Sequence, residues 1–213
     1  MTKPTPSLAA DLAGLYRVIL ADPPWSYRNG GNGAARNHYP TMATAELCAL
    51  RVDGYQVGEL AAPDSVLLLW GTWPLVPDAL RVMDAWGFAY VTGFPWLKLS
   101  DPPVVDLFGE LEAKPAYGTG IWARGCSEYV FIGRKGKAQP PAGGFLGLLS
   151  ERFPHSRKPD NLYHYAEAMG GPFLELFARR RRPGWISWGN QLAAQGERLQ
   201  HAGSDRPGEN VSH

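Results

Sequence analysis

This chain has few cysteines and no long apolar run. These two features argue against metal-binding proteins and membrane-spanning proteins. Its 213 residues include two cysteines, Cys48 and Cys126, which lie far apart and lack the spacing of metal ligands. We therefore expect reduced thiols and no metal site. No apolar stretch approaches the roughly 20 residues that a membrane-spanning helix needs, and the first residues show no signal-peptide pattern. The sequence predicts a cytoplasmic protein without a membrane contact.

An excess of charge of one sign is also missing. The chain has 21 basic and 20 acidic residues, for a formal net charge of +1. It is therefore no general polyanion binder, and any nucleic-acid surface must be local. Apolar residues make up 45% of the chain, enough for one domain with a sizeable core. We place that domain at residues 14–192, after a flexible lead-in (1–13) and before a polar, disordered tail (193–213).

The most informative stretch is RVILADPPW, residues 17–25. Residues 18–20 form an apolar, partly β-branched run, which is typical of a buried strand in a parallel sheet. Asp22 follows the strand, and the next two prolines cannot continue its hydrogen-bond ladder. An acid at the carboxyl end of such a strand lies where open α/β sheets bind ligands.

These residue types can hold a planar base by its exocyclic amine. The Asp22 carboxylate can accept one amine hydrogen, and the Pro23 carbonyl, which lacks a strand partner, can accept the other. Trp25 at the rim can stack on the ring. With both hydrogens held, the nitrogen lone pair becomes a nucleophile for an electrophilic methyl group. An isolated Asp-Pro-Pro is usually a turn, and we interpret the second copy, at residues 101–103, as a loop.

Asp-Pro-Pro-Trp after an apolar strand resembles the catalytic motif of amino-group methyltransferases that act on nucleic acid. Further motifs, in the same order, resemble the MT-A70 family of adenine-N6 methyltransferases, and in particular its bacterial and phage branch. They are HYPTM (38–42), LWGT (69–72), WLK (96–98), GTGIW (118–122), EYVFIGRKG (128–136), HSRKPD (155–160), ELFAR (175–179) and WGNQ (188–191). One tetrapeptide would be a weak signal, but an ordered set over about residues 16–192 is a strong one.

The resemblance implies a Rossmann-like class I methyltransferase fold. The alternation of predicted elements independently favours an α/β fold with a mainly parallel sheet and helices on both faces. Strands are predicted at residues 16–21, 65–70, 88–98, 128–132, 173–178 and 185–188, and helices at 44–50, 77–86 and 159–169. Residues 99–120 are expected to be irregular, and residues 134–137 to form a basic turn. The strand at 173–178 resembles the family's cofactor strand and follows the catalytic motif, which implies a permuted motif order.

The resemblance also implies S-adenosylmethionine as the cofactor and suggests the residues that hold it. Asn190 and Gln191 offer amides to the ribose hydroxyls, Arg179 adds donors there, and Lys158 can pair with the carboxylate. The other expected cofactor-binding residues are Asp22, Glu175 and Phe177. The site of the cofactor's adenine stays open, because the chain has no acidic strand at the family's distance before the catalytic motif.

Substrate-binding residues are expected around the same pocket. They are Arg28, Arg36, His38, Tyr39, Trp70 and Lys98, beside the catalytic set Asp22, Pro23, Pro24 and Trp25. Residues 26–38 are rich in glycine and contain no acid, so they predict a loop that either meets phosphate or is simply solvated. The same two interpretations apply to the arginines at residues 180–182.

The resemblance implies adenine-N6 methylation of nucleic acid. DNA is the expected substrate, because the chain is compact and lacks zinc-finger cysteines and a long basic extension; RNA is the second candidate. A third interpretation is a non-catalytic, nucleic-acid-binding partner subunit, which the intact motif at residues 22–25 disfavours. The oligomeric state stays open.

Overall fold

The computed structural model describes residues 13–27, 41–100, 104–105, 111–112, 114–118, 120, 122–144, 148–151, 158–190 and 192. The strands in these residues are β1 (Tyr16–Ala21), β2 (Arg51–Val52), β3 (Tyr55–Gln56), β4 (Ala61–Gly71), β5 (Ala89–Leu99), β6 (Val104–Val105), β7 (Leu111–Glu112), β8 (Ser127–Lys135), β9 (Leu148–Glu151), β10 (Phe173–Leu176) and β11 (Trp185–Trp188). The helices are α1 (Thr44–Cys48), α2 (Val57–Leu60), α3 (Val76–Ala85) and α4 (Asn161–Glu167), with a 3₁₀ turn at Trp73–Leu75.

A mostly parallel sheet organises this part of the chain. Seven of the described strands form it, in the order β11-β10-β1-β4-β8-β5-β9. β1 pairs in parallel with β10 and β4, and the pairs β10–β11 and β5–β9 are also parallel. β8 runs antiparallel between β4 and β5. The prediction of a mainly parallel sheet is confirmed, and the position of β8 brings its first residues to the edge at which the parallel strands end.

The apolar run of β1 is buried on both of its faces. Ile19 packs in one core cluster, which includes Leu47 of α1 and Val82 of α3. Leu20 packs in the second cluster, which includes Leu162 of α4. Because a strand alternates its side chains, two covered faces require a continuous apolar sequence rather than an alternating one. Helices therefore lie on both faces of the sheet, as predicted.

Cross-strand pairing moves several element boundaries. β8 continues through Lys135, which the sequence placed in a basic turn, because that residue pairs with Ser65 and its ammonium donates to the Gly58 carbonyl at 2.7 Å. β4 begins at Ala61, earlier than predicted, with an irregular register against β1. The antiparallel pair of β6 and β7 lies in a stretch expected to be irregular. These short pairings depend on distant partners, which local patterns do not reveal.

The structure also bears on the cysteines, on membrane-spanning helices and on metal ligands. Cys48 and Cys126 are both free thiols. No helix in the described part of the chain is long and apolar enough to cross a membrane, and His, Cys, Asp and Glu form no metal-binding cluster within it.

We predict that Gly189→Ala destabilises the protein. A Cβ at Gly189 would lie 2.4 Å from the Ala178 carbonyl oxygen and 2.7 Å from its nitrogen, and both are backbone atoms that cannot step aside. The free energy of unfolding should fall by about 1–3 kcal/mol, as for other overpacked sites. Urea denaturation measures it. The control is Gly125→Ala, where a Cβ has nothing within 4 Å; equal midpoints for both variants would contradict the close approach.

Candidate active site

The carboxyl edge of the sheet collects charged residues from distant parts of the sequence. Asp22 follows β1, Arg179 follows β10, and Lys98 lies near the end of β5. Glu128 joins them because β8 runs in the opposite direction and starts at this edge. Lys158 completes the cluster from the segment that precedes α4. This edge is where parallel α/β sheets place their ligand sites.

The Lys158 ammonium is the centre of this cluster. Its nitrogen lies 2.6 Å from Glu128 Oε2 and 3.2 Å from Asp22 Oδ1. The second oxygen of Glu128 accepts a hydrogen bond from Lys98 Nζ at 2.5 Å. Arg179 approaches Asp22 from the other side, with its guanidinium 3.6 Å from Oδ2. The Asp22 carboxylate is therefore flanked by two cations.

Two tryptophan rings lie against the Lys158 ammonium. Lys158 Nζ lies 4.7 Å from the centroid of the Trp70 ring and 5.8 Å from that of Trp96. The two rings meet edge to face, and both side chains are buried. Ring faces attract a cation and exclude water from it. The ammonium is thus fixed both by its carboxylate partners and by the surface on which it rests.

The charges in the cluster support one another. Burial by itself raises the pKa of Glu128, but the ammonium groups of Lys158 and Lys98 outweigh it, and the net pKa is lowered. Burial likewise lowers the pKa of Lys158, but Asp22 and Glu128 outweigh it, and the net pKa is raised. Both groups are therefore charged at neutral pH.

Two expectations about the catalytic motif need correction. The Pro23 carbonyl has no strand partner, but it accepts the Trp25 backbone N–H at 2.9 Å, so only its second lone pair is available to a ligand. Trp25 does not lie at the rim. Its side chain is 6% exposed, and its indole N–H donates to the Trp70 carbonyl at 3.0 Å. Packing against the core buries the ring face that was expected to stack on a base.

Two predicted substrate-binding residues also have structural contacts. Trp70 is 1% exposed and supports Lys158 instead of facing a substrate. Lys98 pairs with Glu128 and lies 5.0 Å from the Trp96 ring centroid, although about a third of its side chain is exposed. The other predicted substrate residues, Arg28, Arg36, His38 and Tyr39, lie outside the described residues, as does Gln191 of the cofactor set.

Strand β10 and the turn after it have features that fit a bound cofactor. Glu175 is buried; its Oε1 accepts a hydrogen bond from the Tyr163 hydroxyl at 2.8 Å, and its Oε2 has no hydrogen-bond partner among the described residues. Burial is the main reason that its pKa is raised. Phe177 has a φ of +62°, a left-handed conformation that costs energy in a residue with a side chain. An unpaired acceptor beside a strained turn fits a ligand that carries hydroxyl donors.

Of the arginines at residues 180–182, Arg181 is exposed, whereas the other two have a structural partner. Arg180 and Arg182 both pair with Asp160 at the start of α4. The Arg182 guanidinium also stacks on the Tyr163 ring, 3.8 Å from its centroid. These two side chains therefore join the segment after β10 to α4, and Arg182 also packs on the ring of Tyr163, whose hydroxyl donates to Glu175.

Glu128 and Trp96 were missed by sequence reasoning, although both begin recognised motifs. Glu128 opens the segment EYVFIGRKG and Trp96 opens WLK. An acid at the first position of a strand points to the carboxyl edge only if that strand is antiparallel to its neighbours. The sequence carried a signal for the strand but not for its direction.

The fold and the site define the class of this protein. A mostly parallel α/β sheet, with charged residues at its carboxyl edge and β10 placed after the Asp-Pro-Pro-Trp motif in sequence, is consistent with a Rossmann-like methyltransferase fold. The MT-A70 family model matches residues 16–191, and the chain belongs to this family of S-adenosylmethionine-dependent adenine-N6 methyltransferases.

Individual relatives come from several kingdoms. The chain is 28% identical to the Type II methyltransferase M.MunI of a Mycoplasma species, over 83% of this chain and 78% of the relative. It is 29% identical to an Arabidopsis N(6)-adenosine-methyltransferase MT-A70-like protein, over 92% of this chain and 26% of the relative. It is 28% identical to human METTL3, an N(6)-adenosine-methyltransferase catalytic subunit, over 87% of this chain and 30% of the relative. The chain thus spans most of the bacterial relative and under a third of these two eukaryotic ones.

We predict that Glu128→Gln destabilises the protein at neutral pH and less so in acid. Without the Glu128 carboxylate, Lys98 loses its ion-pair partner and Lys158 loses one of its two. This loss should lower the free energy of unfolding by about 1–3 kcal/mol. Since folding lowers the pKa of Glu128 below its ordinary value of 4.5, its stabilisation is present above that pH and is lost as the pH falls through the lower, folded value.

Urea denaturation of the wild type and the variant at pH 7 and below pH 4.5 measures this difference. The control is Asp84→Asn, because Asp84 is an exposed acid on α3. It should shift the free energy of unfolding by less than about 0.5 kcal/mol at either pH. A Glu128→Gln difference that stays constant with pH would contradict the ion-pair assignment.

Proposed function

We propose that this protein transfers the methyl group of S-adenosylmethionine to the N6 amine of adenine in DNA. The observation that carries the proposal is the state of Asp22. Its carboxylate is flanked by Lys158 and Arg179, yet its side chain is 21% exposed at the carboxyl edge of the sheet. A carboxylate that is oriented by cations and still accessible suits the recognition of an amine.

Asp22 and Pro23 act on the target amine. The carboxylate accepts one N–H, and the second lone pair of the Pro23 carbonyl accepts the other. Holding both hydrogens turns the nitrogen lone pair toward the methyl donor, so orientation supplies most of the catalysis. Pro24 and Trp25 fix the turn: the Pro24 carbonyl accepts the Met42 N–H at 2.8 Å, and Trp25 anchors the turn in the core.

Glu175 in β10 and the residues that follow β10 and β11 hold the cofactor. We assign Glu175, Arg179, Asn190 and Gln191 to its hydroxyl groups, and Phe177 to packing beside it. An ammonium has three N–H donors, and Lys158 directs two of them toward Asp22 and Glu128, which leaves one for the cofactor's carboxylate. When bound, S-adenosylmethionine supplies the electrophilic methyl group on its sulfonium.

The substrate's phosphates are assigned to the segment after the catalytic motif. Arg28, Arg36 and His38 supply cationic or hydrogen-bonding groups, Tyr39 supplies an aromatic ring, and Lys98 is the partly exposed cation nearest to Glu128. A duplex target must be flipped out of its stack, at a cost of about a few kcal/mol that a single strand avoids in part. Trp70 contributes through Lys158 rather than by direct contact.

The preference for DNA over RNA rests on the motifs that resemble the bacterial and phage branch of the family, and on the similarity to the bacterial Type II methyltransferase M.MunI. The similarity to human METTL3, an N(6)-adenosine-methyltransferase catalytic subunit, supports the alternative. RNA methylation is the alternative, and transfer of labelled methyl groups to matched DNA and RNA oligonucleotides, with nucleoside analysis, separates the two.

We predict that Asp22→Asn lowers methyl transfer by about 100-fold or more, because a preorganised transition-state hydrogen bond to a charged group is lost. Cofactor affinity, measured by calorimetry, should stay within a few-fold. The control is Asp101→Asn, which alters the other Asp-Pro-Pro of the chain and should retain activity. Retention of more than a tenth of the activity by Asp22→Asn would refute the catalytic assignment, and failure of the wild type to bind cofactor would favour a non-catalytic subunit.

We predict that Asn190→Ala weakens cofactor binding more than nucleic-acid binding. The loss of a hydrogen bond to a ribose hydroxyl costs about 0.5–1.5 kcal/mol, or roughly two- to twelvefold in Kd. Calorimetry with the cofactor and fluorescence anisotropy with an oligonucleotide report the two affinities separately. An unchanged cofactor Kd would show that the ribose lies elsewhere.

A further inference from the structure

Three exposed aromatic side chains lie on chain segments that adjoin the carboxyl edge of the sheet. Trp122 is fully exposed, Tyr117 is 61% exposed and Trp73 is 52% exposed. Single exposed aromatics are common on protein surfaces and need no explanation. These three, however, lie on the segments that leave β4 and enter β8, at the edge that carries Asp22.

The segment that carries Trp122 is tied to the backbone of Lys98. The Lys98 N–H donates to the Cys126 carbonyl at 2.7 Å, and the Lys98 carbonyl accepts the Ala116 N–H at 2.8 Å. Gly118 and Gly125 are joined by a further backbone hydrogen bond of 2.9 Å. Because Trp122 lies four positions before Cys126, its Cα lies at most about 14 Å from the Cα of Cys126. Trp122 therefore lies on a segment whose backbone is anchored beside the candidate active site.

Trp73 is fixed at the same edge by β8. Its indole N–H donates to Ser127 Oγ at 2.9 Å, and its ring lies 5.4 Å from the Tyr129 ring in a tilted arrangement. Ser127 is the first residue of β8 and is next to Glu128 of the active-site cluster. Half of the Trp73 side chain is nevertheless exposed to solvent.

The charge of the Trp122 segment favours a polyanion over an apolar partner. Residues 113–126 contain Lys114 and Arg124 and no acid. Arg124 Nε donates to the Gly118 carbonyl at 3.2 Å, which orients an exposed guanidinium on the same turn as the indole. Aromatic faces interleaved with cations are typical of surfaces that bind single-stranded nucleic acid.

We propose that Trp122 and Trp73 are stacking platforms for unpaired bases that flank the target adenine, with Arg124 and Lys114 contacting the intervening phosphates. This rests on the proposed function and names its substrate class: a single-stranded or locally unpaired nucleic acid. A base inside a duplex is stacked on both sides and offers no free face to an indole, whereas every unpaired base does. The chemistry is shared by DNA and RNA.

The test measures binding of fluorescently labelled oligonucleotides by anisotropy, without cofactor. The probes are a 12-nucleotide single strand containing one adenine, as DNA and as RNA, and the DNA duplex of the same sequence. The wild type should bind a single strand more tightly than the duplex. Trp122→Ala should weaken single-strand binding by about 5- to 100-fold, the usual effect of removing one stacking partner. Trp122→Phe, which keeps a ring face, should restore most of the affinity.

The matched control is Tyr90→Ala. Tyr90 is as exposed as Trp73, at 52%, but it lies at the start of β5, the opposite end of the strand from Lys98. This variant should bind every probe as the wild type does. Circular dichroism and urea denaturation of all variants confirm that they are folded.

Three results would overturn the proposal: equal single-strand affinity of Trp122→Ala and the wild type, tighter binding of the duplex, or an equal loss for Tyr90→Ala. A change of oligomeric state in Trp122→Ala on sedimentation, without a change in affinity, would also overturn it and would identify a protein contact instead. Because no methyl transfer is measured, failure of the proposed function shows up separately, in the Asp22 variant.

Discussion

The structure of the candidate site depends on one buried cation, the ammonium of Lys158. It joins three elements that are distant in sequence: the end of β1 through Asp22, the start of β8 through Glu128, and the segment that leads into α4. A charge in a water-poor environment is tolerated only when counter-charges and hydrogen bonds surround it, and removing one partner leaves the others uncompensated. The position of the Asp22 carboxylate is therefore coupled to the docking of β8 and α4.

The ion pair between Lys158 and Glu128 depends on the antiparallel direction of β8. Glu128 lies at the carboxyl edge because β8 begins at that edge. Its two neighbours, β4 and β5, both end at the same edge. Had β8 been parallel, its first residues would lie at the far edge, and Lys158 would face Asp22 alone. One antiparallel strand in a mostly parallel sheet thus adds an acid to a site that parallel strands supply only with their last residues.

Tryptophans serve different purposes at different depths. Trp70 and Trp96 pack against Lys158 and exclude water from it, and Trp25 fixes the turn after β1 to the core. Trp73 and Trp122 lie at the surface of the same edge. The ring is the same in each case, and burial decides whether it shields a charge, anchors a turn or remains open to a ligand.

The sequence by itself determined the strand β1, the place of Asp22 after it, the mainly parallel α/β architecture and the family. The first three follow from local patterns, because a run buried on both faces must be continuously apolar and two prolines must end its ladder. The family follows from the ordered set of motifs along the chain. Only the tertiary structure decided the pairing of Lys158 with Glu128, the burial of Trp25 and the diversion of Arg180 and Arg182 to Asp160. Each of these depends on which distant segments meet, and a local pattern carries no information about the direction of a neighbouring strand.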